Sequence, residues 1–148
     1  MLTITRKLEF DAGHRIPNHR SLCRNLHGHR YVMHITLLGK VQEEKGASSE
    51  GMLMDFSDVK ELAEKHLVSN WDHAFLVYEQ DMPVRQFLET LPDHKTVVLD
   101  RIPTVENLAR IAFDILKAVY ETRYEAALTL QSVRLYETPN SWAEVCAA

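Results

Sequence analysis

The sequence has few cysteines, no long apolar segment and no surplus of basic charge. Only two of its 148 residues are cysteine, so we expect no disulfide framework. Its apolar runs stay well short of the ~18 residues that a membrane span needs. Lysine and arginine number 17 against 21 acidic residues, which argues against binding to nucleic acid. We therefore expect a cytoplasmic protein with reduced thiols that binds neither membranes nor nucleic acid.

Glycine and proline are also scarce, at five residues each, and no repeat, low-complexity tract or linker divides the chain. Hydrophobic residues make up 45% of the sequence and charged residues 26%, which is ordinary for a globular domain. The first ten residues alternate between polar and apolar, and they lack the continuous apolar stretch of a signal peptide. We therefore expect one domain over residues 1–148.

Apolar periodicity predicts pairs of strands with helices between them. Alternation and β-branched residues predict strands at 2–10, 30–41, 96–99, 128–138 and 141–147. Helical spacing predicts helices at about 56–69, 84–91 and 105–120. The stretch 11–28 is rich in glycine, proline and asparagine, so it is predicted to be a long loop. This order favours an α+β fold in which helices cover one face of an antiparallel sheet.

Eight histidines are a high count for this length, and three of them are placed to converge. His27 and His29 flank Gly28, so their rings point to the same side of an extended segment. His14 follows the first predicted strand, and antiparallel pairing of the first two strands would bring it close to that pair. Three neutral imidazoles with an open fourth position are typical of a catalytic zinc site. The alternative is three surface or turn histidines that bind no metal.

Three further positions carry groups suited to chemistry. Cys23 lies four residues before His27 in a polar loop. It is either a fourth zinc ligand or a free thiol beside the metal. Asp72-His73 follows the first predicted helix, and it is either an oriented general base or a local hydrogen-bonded pair. Glu137 shares a strand face with apolar residues, which indicates that it either caps a turn or binds a ligand.

Other polar residues have simpler interpretations. Thr104 and Glu106 are the expected N-cap and first-turn acid of the last predicted helix. Cys146 lies in an apolar terminal strand and is predicted to be a core residue. His66 and His94 are predicted to be solvated.

Several short motifs occur together in a fixed order along nearly the whole chain. They are Phe10-Asp11-Ala12-Gly13-His14, Cys23-Arg24-Asn25-Leu26-His27-Gly28-His29, Met54-Asp55-Phe56, Trp71-Asp72-His73, Pro103-Thr104-Val105-Glu106 and Leu135-Tyr136-Glu137-Thr138. With these motifs the sequence resembles the 6-pyruvoyl-tetrahydropterin synthase and 6-carboxytetrahydropterin synthase family. The resemblance implies a tunnelling fold, with a four-stranded antiparallel sheet and two helices packed on one face. It also implies a homohexamer with active sites at the subunit interfaces.

The resemblance assigns roles to nine residues. It implies Zn²⁺ held by His14, His27 and His29, a general base at Cys23 supported by Asp72 and His73, a pterin ring anchored by Glu137, and a pterin pocket lined by Thr104 and Glu106. On charge alone, Lys7, His19 and Arg24 are candidates for contacts to a triphosphate group.

The implied substrate is 7,8-dihydroneopterin triphosphate, converted to 6-carboxytetrahydropterin, acetaldehyde and triphosphate in queuosine and deazapurine biosynthesis. Three residues separate Cys23 from His27, which is similar to the bacterial 6-carboxy enzymes, whereas the animal 6-pyruvoyl enzymes have a longer gap. The alternative is synthesis of 6-pyruvoyl-tetrahydropterin from the same substrate. The stretch between His73 and Thr104 is longer than in the shortest bacterial members, and we interpret it as a lid or an added interface element.

Two functions of other classes would use the same residues. A zinc-stabilised binding module would close the metal site with Cys23 and would need metal to fold. A cysteine hydrolase would use Cys23 as nucleophile with His73 and Asp72, and it would work without metal. Alkylation of Cys23 with zinc bound tests the first function, and activity after chelation tests the second.

Overall fold

The computed structural model describes the backbone of residues 1–148 and the side chains of all of them except residue 126. The strands are β1 (Leu2–His14), β2 (His27–Gly39), β3 (Ala74–Tyr78), β4 (Thr96–Leu99), β5 (Leu128–Thr138) and β6 (Ser141–Cys146). The α-helices are α1 (Phe56–Ala63), α2 (Ser69–Trp71), α3 (Met82–Glu89) and α4 (Val105–Tyr124). A π-helical turn, Glu64–Val68, joins α1 to α2, and 3-10 turns lie at Leu22–Arg24 and Glu125–Ala127. Among these helices none is long and apolar enough to cross a membrane.

The strands form a single sheet in the order β4-β3-β1-β2-β5-β6. Neighbours among β1, β2, β5 and β6 are antiparallel, as predicted, whereas β3 pairs in parallel with both β1 and β4. The predicted α+β class is confirmed, but the sheet has six strands, whereas the resemblance implied four and apolar periodicity predicted five. The sequence of β3, AFLVY, is a continuous apolar run without alternation, so periodicity alone does not identify it as a strand.

The loop predicted at 11–28 is shorter than expected. Strand β1 continues to His14 and β2 already begins at His27, and these two residues are partners in the antiparallel register. Gly13 and Gly28, which favoured a loop in the sequence, face each other across the two strands. The alternation of β1 therefore runs through the glycine and ends in the buried side chain of His14.

Most buried side chains lie on the face of the sheet where α1 and α4 pack, whereas Val77 of β3 packs on the other face against Val84 and Leu88 of α3, so the helices do not all cover one face as expected. Helix α4 contributes its apolar stripe, which consists of Leu108, Ala109, Ala112, Phe113, Leu116 and Tyr120. The Tyr120 hydroxyl donates a 2.7 Å hydrogen bond to the carbonyl of Val59 and so connects α4 to α1. As predicted, Thr104 caps α4, because its side-chain oxygen accepts a hydrogen bond from the Asn107 N–H. The helix ends at Tyr124, four residues beyond Tyr120, the last residue of the predicted apolar stripe.

The long segment after His73 forms an added edge of the sheet. It contributes β3, α3 and β4, and β3 pairs with the last residues of β1. The guanidinium of Arg15 donates hydrogen bonds of 2.7 and 2.6 Å to the buried carboxylate of Asp81, just before α3. This ion pair fixes the segment to the end of β1 that carries His14.

The prediction for Cys146 was wrong, because its side chain is exposed. Ala143 and Val145 point from β6 toward the core, and Cys146 has the opposite parity in the same strand. An apolar strand at the edge of a sheet still exposes every second side chain.

Candidate metal centre and active site

The ends of β1 and β2 bring three histidines together. His14 is the register partner of His27, and His29 lies two residues further along the same face of β2. The ring centroids are 4.6 Å apart for His14 and His27, 5.1 Å for His14 and His29, and 5.0 Å for His27 and His29. One nitrogen from each ring lies within 4.8 Å of the other two. The predicted convergence of the three histidines is therefore confirmed.

Backbone carbonyls orient two of the three rings. Nδ1 of His14 lies 2.7 Å from the carbonyl oxygen of Pro103, and Nδ1 of His27 lies 2.7 Å from that of Asn25. Because a carbonyl oxygen only accepts, Nδ1 carries the proton in both rings and the Nε2 lone pair is left for another ligand. Sequence analysis identified neither carbonyl, since a backbone acceptor leaves no residue-type signal.

Burial favours the neutral form of two of the three histidines. His14 is 1% exposed, and burial lowers its pKa to about 4, although the hydrogen bond to Pro103 acts in the opposite direction. Burial also lowers the pKa of His29, against the opposing charge of Glu137. Both rings are therefore neutral near pH 7, which is the form that binds a metal.

The histidine site fits a zinc-type cation. Among the side chains that the structure describes, the buried Nε2 of His14 has no hydrogen-bond partner. An unpaired acceptor in an apolar environment is costly unless a cation or a donor meets it. Three imidazole nitrogens within 4.8 Å of one another form the kind of donor set that zinc prefers in catalytic sites.

Tyr31 forms the floor beneath this site, and sequence analysis gave it no functional role. Its side chain is fully buried, and its ring stands nearly perpendicular to those of His14 and His29 at 6.1 and 5.7 Å. The hydroxyl lies 3.4 Å from Nδ1 of His14, and burial raises the pKa of this phenol. The signal available in the sequence was spacing. Tyr31 lies two residues after His29 in β2, so the two side chains lie on the same face of the strand.

Glu137 lies against the histidine cluster near the end of β5. Its Oε1 atom is 3.5 Å from Nε2 of His14 and 3.7 Å from Nε2 of His29, and its side chain is 25% exposed. The following turn is capped instead by Thr138, whose hydroxyl oxygen accepts a hydrogen bond from the Asn140 N–H. Of the two explanations for this carboxylate on an apolar face, the geometry favours ligand binding.

Asp72 and His73 form an oriented carboxylate–imidazole pair. Oδ2 of Asp72 lies 3.0 Å from Nδ1 of His73. The backbone of Asp11 holds both residues, because its N–H donates to Asp72 Oδ1 and its carbonyl accepts from the His73 N–H. The first of these bonds is the main reason why the pKa of Asp72 is lowered. His73 adopts a left-handed backbone conformation, with φ of 61°, which these bonds to β1 stabilise.

Two open grooves adjoin the histidines. One has a volume of about 500 Å³, and His27, His29, His73 and His94 contribute to its walls. His94 is exposed, as predicted, but its place in this wall was not foreseen, because the added β3–β4 edge brings it there. The other groove, of about 650 Å³, is lined by His29, Glu137, Arg30, Tyr136 and Lys7 among others. Of the three triphosphate candidates, Lys7 lies in the wall of this second groove.

Cys23 lies outside the described histidine cluster. Its thiol is exposed on the 3-10 turn between β1 and β2, and its backbone carbonyl accepts a hydrogen bond from the Ile16 N–H. The structure therefore does not show the closed four-ligand site that a zinc-stabilised binding module would need. The arrangement leaves this thiol free for a role other than a structural ligand.

The start of α4 adjoins the site through Pro103. Thr104 is half-buried and caps the helix, whereas Glu106 is exposed in the first turn. The structure thus confirms their local structural roles. Their part in a pterin pocket remains a prediction.

Comparisons with known proteins agree with this fold. The family model described as 6-pyruvoyl tetrahydropterin synthase matches residues 3–148. A 6-carboxy-5,6,7,8-tetrahydropterin synthase of Rickettsia bellii is 36% identical over 146 residues, which cover 98% of this chain and 100% of that protein. The enzyme of the same name from Haemophilus influenzae is 32% identical over 147 residues, or 97% and 98% of the two chains.

The fold is also shared with a solved structure. The 6-pyruvoyl tetrahydropterin synthase of Caenorhabditis elegans superimposes with a TM-score of 0.67 at 23% identity, covering 99% of this chain and 96% of that one. This likeness shows that the α+β fold is the tunnelling fold that the sequence motifs implied. Because the family model and the curated relatives each span nearly the full length, the chain belongs to the 6-pyruvoyl tetrahydropterin synthase family.

Proposed function

We propose that the protein is a zinc-dependent 6-carboxy-5,6,7,8-tetrahydropterin synthase of queuosine and deazapurine biosynthesis. It is a lyase that converts 7,8-dihydroneopterin triphosphate and one water molecule to 6-carboxytetrahydropterin, acetaldehyde and triphosphate. The observation that supports this most is the buried, unpartnered Nε2 of His14 facing two further imidazoles and Glu137. The full-length relatives that carry this name support the choice of substrate.

The histidines hold the metal in this proposal. His14, His27 and His29 each supply a nitrogen, and the carbonyls of Pro103 and Asn25 keep two of the rings in the binding tautomer. A bound Zn²⁺ supplies Lewis-acid chemistry at the oxygens of the substrate side chain. Because all three ligands are neutral, they leave the positive charge of the ion available to a developing oxyanion.

Cys23 and the Asp72–His73 pair move protons in the proposed reaction. Cys23 removes a proton from the substrate side chain, and its exposed thiol on the turn between the two histidine-bearing strands supports this role. His73 relays or returns protons in this proposal, because Oδ2 of Asp72 lies 3.0 Å from its Nδ1 and orients the ring. The exposed His73 side chain faces the 500 Å³ groove beside His27 and His29.

Substrate binding is assigned to the grooves on either side of the histidines. Glu137 accepts hydrogen bonds from the N–H groups of the pterin ring, and Thr104 and Glu106 line the ring pocket. Lys7 and Arg24 are proposed to bind the triphosphate, together with His19. The position of Glu137 and Lys7 on one groove supports this division.

A product assay tests the function directly. Zinc-loaded protein is incubated with 7,8-dihydroneopterin triphosphate, and the pterin product is identified by mass spectrometry. A 6-carboxy product released with acetaldehyde is expected. A 6-pyruvoyl product would assign the alternative activity, and no turnover with zinc bound would contradict both.

The two cysteines provide a matched test of the general base. Cys23→Ala should retain zinc and lose activity by a factor of about 100 to 10,000, as is typical for loss of a general base. Cys146→Ala removes the other exposed thiol and should retain both zinc and turnover. Full activity of the Cys23 variant would remove the base assignment. Activity after chelation would instead favour a cysteine hydrolase.

We also propose a cytoplasmic homohexamer with active sites at the subunit interfaces. The edge strands β4 and β6 each expose a large apolar side chain, with Val98 at 48% and Trp142 at 49% exposure. Open edges of this kind are suited to pairing with another chain. Light scattering after gel filtration should give six times the mass of the chain, and a monomer would contradict the assembly.

A further inference from the structure

The contact between Glu137 and His14 joins two hydrogen-bond acceptors. Nδ1 of His14 donates its proton to the carbonyl of Pro103 at 2.7 Å, so Nε2 presents only a lone pair. The Glu137 oxygen that faces this lone pair, 3.5 Å away, is itself an acceptor. His14 is 1% exposed and Glu137 25% exposed, so water screens the two groups from each other only in part. Such a contact is unfavourable unless a cation, a proton or a water molecule lies between its members, and a cation satisfies the lone pairs of all three imidazoles as well.

The spacing of these atoms is that of ligands around one ion. In a tetrahedral site with bonds of 2.0–2.1 Å, neighbouring ligand atoms lie about 3.4 Å apart. Oε1 of Glu137 lies 3.5 Å from Nε2 of His14 and 3.7 Å from Nε2 of His29. The carboxylate is thus already at ligand distance from two of the three imidazoles.

We infer that Oε1 of Glu137 is the fourth metal ligand of the substrate-free protein, beside His14, His27 and His29. The inference rests on the proposed metal site. It adds that Glu137 holds the fourth coordination position, which a substrate oxygen takes over when the substrate binds. Glu137 is 25% exposed and borders the 650 Å³ groove, so its side chain has room to leave the metal when a substrate oxygen takes its place. The released carboxylate is then free to bind the pterin ring.

Metal affinity and a metal spectrum test this ligand without relying on turnover. Metal-free wild-type protein, Glu137→Gln and Glu137→Ala are compared by chelator competition for Zn²⁺ and by the visible absorption of bound Co²⁺. We expect zinc affinity to fall on the order of 10- to 100-fold in both variants, as for other groups that support a metal site. The Co²⁺ spectrum should also change, because water replaces a carboxylate. Glu121→Gln, on the solvent side of α4, is the matched control and should behave as wild type.

The outcomes separate this inference from the proposed function. Wild-type zinc affinity and an unchanged Co²⁺ spectrum in both Glu137 variants would overturn the inference. If His27→Ala then still loses its zinc, the three-histidine site and the proposed function remain. A wild-type protein that binds no zinc would overturn both. The near-isosteric glutamine variant guards against a fold defect in the alanine variant.

Discussion

Replacing Gly28 by alanine tests whether the pairing of the strand ends sets the metal site. A Cβ atom at this position would lie 2.9 Å from the backbone oxygen of Ala12 in β1. Ordinary van der Waals contact begins at 3.4 Å, so β1 and β2 must separate locally by about 0.5 Å. A backbone oxygen within a sheet cannot turn away as a flexible side chain does. The strain therefore falls on the strand pair itself.

The expected magnitudes follow from this displacement. Overpacking of this kind costs about 1–3 kcal/mol of unfolding free energy. The same shift moves His14, on β1, away from His27 and His29, on β2. Ligand distances in metal sites hold within about 0.2 Å, so a displacement of about 0.5 Å should lower zinc affinity on the order of 10- to 100-fold.

Gly39→Ala is the matched control at the other end of β2. Its Cβ would lie 3.0 Å from the backbone oxygen of Ala127, so it introduces a similar clash far from the histidines. It should therefore lose a similar amount of stability and keep the zinc affinity of wild type. The pair of variants separates general destabilisation from a change in ligand geometry.

Two assays are sufficient for this comparison. Urea unfolding of the metal-free proteins, followed by circular dichroism, gives the free energies of unfolding. Competition with a chelator gives the zinc affinities. Wild-type zinc affinity in a destabilised Gly28→Ala would refute the reasoning that strand spacing sets the ligand geometry. An equal loss of affinity in both variants would refute it as well.

Three further predictions concern stability. Metal-free protein should lose about 3 kcal/mol between pH 6.5 and pH 4, because the unfolded chain takes up a proton at His14 near 6.5 whereas the folded pKa is about 4. Above pH 6.5 His14 is neutral in both states, so the unfolding free energy linked to its lowered pKa is fully present there. If urea unfolding shows the same loss of stability in acid for His14→Gln, the assignment to His14 is contradicted. Tyr120→Phe should cost about 1 kcal/mol in chemical unfolding, because the carbonyl of Val59 loses its buried donor; no loss would show that water replaces the hydroxyl. Asp81→Asn should cost about 2 kcal/mol, because Arg15 loses a bidentate charged partner, and a loss below about 0.5 kcal/mol would mean that this pair does not fix the β3–α3 segment.

Local patterns predicted most of the antiparallel sheet and the long helix. Alternation placed β2, β5 and β6 closely, and apolar spacing with a threonine cap placed the start of α4. Local composition was misleading at residues 11–28, where glycines that favour a loop in isolation lie within a strand pair. It also failed for β3, because this strand is covered on both faces: Leu76 packs in the main core and Val77 packs against residues of α3, so neither face is polar.

The convergence of His14, His27 and His29 followed from the sequence because it needs only period-two alternation and one antiparallel pairing. Alternation is a property of each strand by itself. Antiparallel pairing is expected when two consecutive strands are joined by a segment that reverses the chain direction. The residues of Asp72-His73 were also found, since a carboxylate next to a histidine is visible in the sequence itself. Their attachment to the backbone of Asp11 was not, because it depends on how the sheet is completed.

The sequence alone thus determined the apolar faces, the histidine triad and the family to which its motifs point. The tertiary structure decided what surrounds that triad. The carbonyl of Pro103 orients His14 from 89 residues away, and Glu137 reaches the same ring from β5. These contacts depend on the order of the strands and on where α4 begins against the sheet. Contacts across such separations are set by the packing of whole elements, and no local periodicity encodes them.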